Sequence, residues 1–231
     1  MIDELGQVLG VLVVEVVVAG GEAQTALGGD EDDVVVVPLE LVELLELLKD
    51  DPSTMVRRSV ANNLNDLGKV HPELLSRTCE AWLADASAGR RVLVEHALRS
   101  AVKRGDREAL RLLGFGGQPS VAVEDVTFTP ARVPIGERVS MTFALRSRSS
   151  KPQNLLVDVA VHFVKARGEA RPKVFKLDRI ELPPRGRVEF ETSFSLAVHT
   201  TRVPKPGHHA VDVLVNGKPY RAGSFRVELR G

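Results

Sequence analysis

The sequence lacks a second cysteine, a net charge and any apolar run long enough to cross a bilayer. Cys79 stands alone among 231 residues, which excludes an intramolecular disulfide and a four-cysteine zinc site. A lone thiol fits a reducing compartment, most simply the cytosol. The valine-rich run from Val8 to Val18 is about half of the roughly 20 apolar residues a bilayer needs, and Glu15 interrupts it. A secretory signal opens on Lys or Arg, whereas this chain opens on Asp3 and Glu4. Neither a targeting segment nor a membrane partner is expected. What remains is an ordinary globular composition, 43% hydrophobic and 27% charged, of a size for one large domain or two small ones.

The zero net charge, 31 bases against 31 acids, is a sum of unlike parts. Residues 1–50 hold twelve acids and one base, Lys49, a net −11; residues 51–231 hold thirty bases and nineteen acids, a net +11. A polyanion responds to the local field rather than to the sum, so the basic part is open to a nucleic-acid partner. Residues 1–37 read as a valine-rich acidic leader outside the fold, of a composition that a shifted frame in a GC-rich gene also produces. A β-hairpin is the alternative, since valine suits strands, but no polar and apolar alternation fixes a face there.

After Pro38 the period turns helical. Leu39, Val42, Leu45 and Leu48, with Leu41 and Leu44, make a wide apolar face. Asp51-Pro52 is a start signal, an N-cap before a proline at the first helical position. The helix it opens buries Val56, Val60, Leu64 and Leu67 and is expected to stop at Gly68. His71-Pro72 opens the next, in which Leu74, Leu75, Cys79, Trp82 and Leu83 are apolar and Trp82 and Cys79 read as core. Gly89 separates it from a helix carrying Leu93, Val94, Ala97, Leu98 and Ala101. Asp106 caps a last short one through Leu110, Leu112 and Leu113. Short turns between such helices imply antiparallel pairs.

The second and fourth helices superpose at a constant offset of 34 residues, which sets Arg57 on Arg91, Leu64 on Leu98 and Lys69 on Lys103. A helix-pair repeat near this period is a solenoid signature, and about three or more repeats are needed for stability. The stretch therefore reads as the tail of a longer array.

The strings "DDPSTMVRRSVANNLNDLGKVHPELL" and "RRVLVEHALRSAVKRGDREALRLLGF" resemble the HEAT-like DNA alkylation repair family, the alkylpurine DNA glycosylases, and most of all its AlkC-type branch. The resemblance covers roughly residues 42 to 115. It implies stacked repeats with a concave basic surface cradling duplex DNA, and excision of lesions such as 3-methyladenine by hydrolysis of the N-glycosidic bond without the usual base flipping. Such a cationic base is a good leaving group, so the chemistry needs chiefly a carboxylate to stabilise the oxocarbenium ion and orient water, with aromatic cation-π attraction to the lesion. In the family these acidic and tryptophan residues lie mostly on repeats N-terminal to the matched stretch. No counterpart is recognised here, so the catalytic residues stay unassigned; Asp66 is the remaining carboxylate candidate, and a structural role at the helix C-terminus is its alternative. The resemblance favours DNA contact by Arg57, Arg58, Asn62, Asn63, Arg90, Arg91, His96, Arg99 and Lys103, guanidinium groups being suited to phosphate.

From Val121 the period drops to two. Strands are expected over 121–129, 138–147, 154–165, 173–182, 187–197, 208–215 and 220–229, and Asn216-Gly217 signals a type I′ hairpin joining the last two. Seven short strands suggest an immunoglobulin-like β-sandwich, which this chain must hold without the disulfide. The domain carries nineteen bases and eleven acids over residues 119–231, a net +8. Alternate loops share an end, and one end would gather Arg132, Arg167, Arg171, Lys173, His199, Arg202, Lys205 and His208; Arg167, Arg171, Arg202 and Lys205 are the DNA-contact candidates. The adjacent His208 and His209 point to opposite faces of a strand and cannot readily share an ion.

The expected fold is thus α plus all-β in two domains: HEAT-like antiparallel helical repeats over 38–116, a linker at 117–120 and an immunoglobulin-like sandwich over 121–231. The expected function is that of a monomeric DNA-binding protein of base excision repair resembling 3-methyladenine/alkylpurine DNA glycosylases, with double-stranded DNA bearing alkylated bases as partner and no cofactor or metal. A non-catalytic adaptor binding a protein partner through the solenoid and sandwich is the alternative.

Overall fold

The computed structural model describes residues 39–164, 170–198 and 203–229. The acidic leader, Arg167, His199 and Arg202 lie outside them, so the readings made for those residues are not addressed by it. The chain divides into two compact units between Arg104 and Gly105.

The first unit is helical: α1 (Leu39–Leu48), α2 (Thr54–Val70), α3 (Pro72–Leu83), α4 (Ala88–Ala97) and α5 (Arg99–Lys103). Helix α2 is its hub, packing against each of the other four. Val60, Ala61, Leu64, Leu75, Cys79, Trp82, Val94, Ala97 and Leu98 fill the space between them, each large aliphatic side chain contributing about 1.5–3 kcal/mol by burial. Three local expectations are corrected. The N-cap of α2 is Ser53 rather than Asp51; the Asp51 carboxylate instead accepts the Ser53 amide at 2.7 Å, building the turn that precedes the helix. Gly68 does not end α2, which continues to Val70. Its missing side chain admits Leu75 of α3, whose Cδ2 would stand 2.3 Å from an added Cβ. Gly89 lies inside the first turn of α4, whose cap is Ser87, with Oγ accepting the Arg90 amide at 3.2 Å.

The second unit opens with α6 (Arg107–Leu112), capped as expected by Asp106, whose carboxylate accepts the Ala109 amide at 2.8 Å. Among the described residues eight strands follow: β1 (Val121–Thr129), β2 (Arg132–Pro134), β3 (Arg138–Ser147), β4 (Gln153–Val164), β5 (Ala170–Leu182), β6 (Arg187–Ser195), β7 (Gly207–Val215) and β8 (Lys218–Glu228). They form a three-stranded sheet, β1-β3-β6, and a five-stranded sheet, β2-β8-β7-β4-β5. All pairings are antiparallel except β2, which runs parallel to the end of β8. This short strand is the one that alternation missed: three residues ending in proline carry no readable period. Val139, Met141, Phe143, Leu145, Val157, Val159, Val161, Phe194, Val211, Val213, Val215 and Phe225 close the core between the sheets. Asn216 and Gly217 have φ of 47° and 74°, the left-handed pair that a type I′ turn needs. Among the described residues no helix is long and apolar enough to cross a membrane.

Candidate nucleic-acid interface

The 34-residue offset between repeats is a physical contact. Asn62 of α2 and His96 of α4, equivalent positions in the two repeats, meet with Oδ1 and Nε2 3.0 Å apart. One residue beyond that register, Asn65 accepts the Ser100 amide at 3.3 Å and is itself only 2% exposed. Arg99 Nη1 donates to the His96 carbonyl at 2.7 Å, which holds the same seam from the α5 side. Arg57 Nη1 donates to the carbonyls of Asp51 and Pro52 at 2.6 and 3.1 Å. Its guanidinium lies beside Gly89, where a Cβ would come 3.4 Å from Nε.

A shallow cleft of about 200 Å³ runs between α2 and α4, lined by Thr54, Arg57, Arg58, Gly89, Val92 and His96 among others. Arg58, Arg91 and Lys103 are exposed. Of the expected DNA contacts, then, Arg57, Arg58, Asn62 and His96 come together on the α2 and α4 surfaces. Asn62, His96 and Arg99 also hold the helices to one another and Arg57 braces the turn before its own helix, whereas Arg58, Arg91 and Lys103 are exposed cations.

Two expected contacts are placed elsewhere. Arg90 is gripped by Asp50, with Nε on Oδ1 at 2.9 Å and Nη2 on Oδ2, while Nη1 donates to Asp85 at 2.6 Å. The hydrogen bond from Arg90 holds the Asp50 carboxyl below its ordinary value. Arg90 thus ties the α1–α2 turn to the start of α4. Asn63 is buried, and its Nδ2 donates to the Ser59 carbonyl one turn back at 2.9 Å. Asp66 accepts from Lys69 at 2.6 Å and from Asn65 at 3.1 Å, an arrangement of the structural kind. Trp82 is buried and donates from Nε1 to Glu46. Burial pushes the Cys79 thiol up to about 12.

In the second unit, the end of β4, the start of β5, the start of β7, the end of β8 and β2 share one end of the five-stranded sheet. Arg226 pairs in register with Arg132 on one side and His208 on the other. Lys173 stands opposite Val161, and Lys205 precedes β7, exposed. Arg171 joins β5 opposite Phe163. Glu228 lies 3.7 Å from Arg132 and 3.5 Å from Arg226, exposed pairs of little strength. His208 is exposed, while His209 is fully buried, its ring stacked on Phe225 at 5.4 Å and its Nε2 3.0 Å from the Lys205 carbonyl. The two histidines face opposite ways, as the strand period requires.

Residues 122–229 match the family model described as the C-terminal Ig-like domain of uncharacterised protein YhaZ. The uncharacterized protein YhaZ of Bacillus subtilis (strain 168) is 35% identical over 190 residues, 82% of this chain and 52% of that protein. Among solved structures, Pseudomonas fluorescens alkylpurine DNA glycosylase AlkC, bound to DNA containing an abasic site analog, is 40% identical, with a TM-score of 0.76 over 82% of this chain and 52% of that one. The chain is AlkC-like in sequence and in fold. It spans about half the length of these relatives.

Within this AlkC-like fold, sequence reasoning overlooked Asn65 and Ser100 as part of the repeat seam. The signal was present in the repeat offset, since a period of 34 brings Asn62 onto His96 and Asn65 within one residue of Ser100. Arg226 was also missed, because its place beside Arg132 depends on β2, which the period did not reveal.

Proposed function

We propose that this chain binds duplex DNA in the repair of alkylated bases in the bacterial cytosol or nucleoid, acting as a monomer. Arg58, Arg91 and Lys103 of the helical unit contact backbone phosphates, with Arg57 and His96 beside them. The basic end of the sandwich, through Lys205, Arg132 and Arg226 together with Arg167, Arg171 and Arg202, adds further phosphate contacts. The observation that carries the reading is 40% identity with a glycosylase whose solved structure holds DNA. The bases served are cationic alkylpurines, whose glycosidic bond is already weakened by the positive charge. Asp66, tied to Lys69, receives no catalytic role.

Fluorescence anisotropy of a labelled duplex, titrated between 50 and 200 mM salt, tests the reading. Each phosphate neutralised contributes about −0.9 to the slope of log affinity against log salt. Arg58→Ser with Arg91→Ser is expected to make that slope shallower by about 1.8. No binding by the parent chain at low salt overturns the proposal and favours the protein-binding adaptor. Release of 3-methyladenine or 7-methylguanine from alkylated duplex reads base excision separately from binding.

A further inference from the structure

The second unit contains a larger cleft, about 550 Å³, that the reading above does not use. It lies between α6 with the glycine-rich stretch after it and the β7–β8 turn. Its lining includes Arg107, Phe115, Gly116, Gly117, Gln118 and Lys218, and no carboxylate is among its lining residues. The cleft exists because glycine meets glycine at its base: Gly105 and Gly217 both have positive φ, and a Cβ on Gly217 would come 2.8 Å from the Gly105 Cα. Asn216 fastens the other wall, donating from Nδ2 to the Gly117 carbonyl at 3.1 Å.

Two features of this cleft select for an anion. Arg107 and Lys218 are exposed, and among the described residues neither forms an ion pair; Lys218 is held over the Tyr220 ring, 5.4 Å from its centroid. Gly116, Gly117 and Gln118 line the same cleft and are exposed, and their amides have no protein acceptor among the described residues. Two cations without ion-pair partners, beside exposed amides that remain free to donate, suit an oxyanion with several acceptor oxygens. Cation-bearing sites of this kind also gain from the absence of a competing carboxylate.

We propose that this cleft holds a phosphodiester of the nucleic-acid backbone, a contact at the turn end of the sheet separate from those at the basic end. The site rests on the DNA-binding reading above. It stands at the end of β7 and start of β8, whereas Lys205, His208 and Arg226 lie at the opposite end of the same strands.

The test uses the full chain and a labelled duplex. Arg107→Ser with Lys218→Ser should make the salt slope shallower by about 1.8, so that the loss of affinity between 50 and 200 mM salt shrinks about 12-fold. The amide resonances of Gly116, Gly117 and Gln118 should move on addition of unlabelled duplex. If the parent binds duplex but the double variant keeps its slope and these amides stay still, this inference fails alone. If the parent binds no duplex, the DNA-binding reading fails first. If inorganic phosphate at equal ionic strength moves the three amides while duplex does not, the cleft takes a free anion and the backbone assignment is overturned.

Discussion

Asp50 meets Arg90 with both carboxylate oxygens, and that grip makes a stability device of a residue whose type suggested phosphate binding. A carboxyl depressed in the folded state stabilises the fold above its unfolded pKa and loses that contribution as pH falls through the folded value. Asp50→Asn should therefore melt below the parent at pH 7, and the gap should narrow as pH falls beneath the unperturbed aspartate value of about 3.9, vanishing once the carboxyl is protonated in the folded chain as well. Thermal unfolding monitored across pH checks this; a gap that persists in acid would mean that the charge is not what matters. Cys79 gives a second check at this scale. With its thiol pushed up to about 12 by burial, a thiol reagent at pH 8 should find no reactive group until denaturant unfolds the chain. Residue roles were the least legible part of the sequence. Arg57, Arg58, Arg90 and Arg91 look alike in one dimension, yet Arg58 and Arg91 are exposed while Arg90 is consumed by two aspartates from outside its own helix. The polar run Asn62 to Asp66 signalled that something other than a plain helix surface was present. Two of its members, Asn62 and Asn65, join the repeats through His96 and Ser100, whereas Asn63 and Asp66 bond within α2.

Elements were more legible, because periodicity reports which face is buried and turn chemistry reports where the chain reverses. Strands β1 and β3 fall where alternation placed them, and the Asn216-Gly217 turn has the conformation its residues demand. Asn216 does more than turn: its Oδ1 accepts the Leu156 amide at 2.8 Å, and its Nδ2 reaches the Gly117 and Asn154 carbonyls at 3.1 and 3.3 Å. Asn216→Ala should destabilise the second unit by about 2 kcal/mol, combining lost hydrogen bonds with the cost of a left-handed conformation. Chemical denaturation measures it, and Asn216→Gly should recover the conformational part only. The helix ends were misread for a shared reason. Glycine serves both as a stop and as a close-packing point, and Gly68 and Gly89 are packing points. Gly68→Ala would gain about 1 kcal/mol of helix propensity. It would also drive a Cβ to within 2.3 to 2.9 Å of Leu75 Cδ2, Cβ and Cγ, an overpacking cost of about 1–3 kcal/mol. Because three atoms of Leu75 including its own Cβ are involved, a rotamer change alone does not relieve the clash. A net loss of roughly 1 kcal/mol is expected by denaturant titration; a gain would show that α2 and α3 separate at little cost.

At the scale of the whole molecule, what mattered was the distribution of charge. A net charge of zero suggests no polyanionic partner, but residues 51–231 carry +11 and residues 1–50 carry −11. The change from helices to strands was legible in the hydrophobic period, which switches near residue 120, whereas the two compact units divide earlier, between Arg104 and Gly105. The third dimension was not: which cations share a surface depends on packing between helices and on strand order. The segment 1–37 holds eight acids and no base, so its charge opposes that of any surface that attracts DNA. If the basic body binds duplex, removing residues 1–37 should raise affinity at 50 mM salt by roughly tenfold, through the field alone. The advantage should shrink toward nothing near 200 mM, as screening shortens the reach of charge below the roughly 10 Å it has at 0.1 M. The control is a variant in which those eight acids become Asn or Gln at constant length. If it matches the deletion, the leader acts on DNA binding through charge; if it behaves like the parent while the deletion binds more tightly, the segment obstructs the surface by bulk, and the charge argument fails.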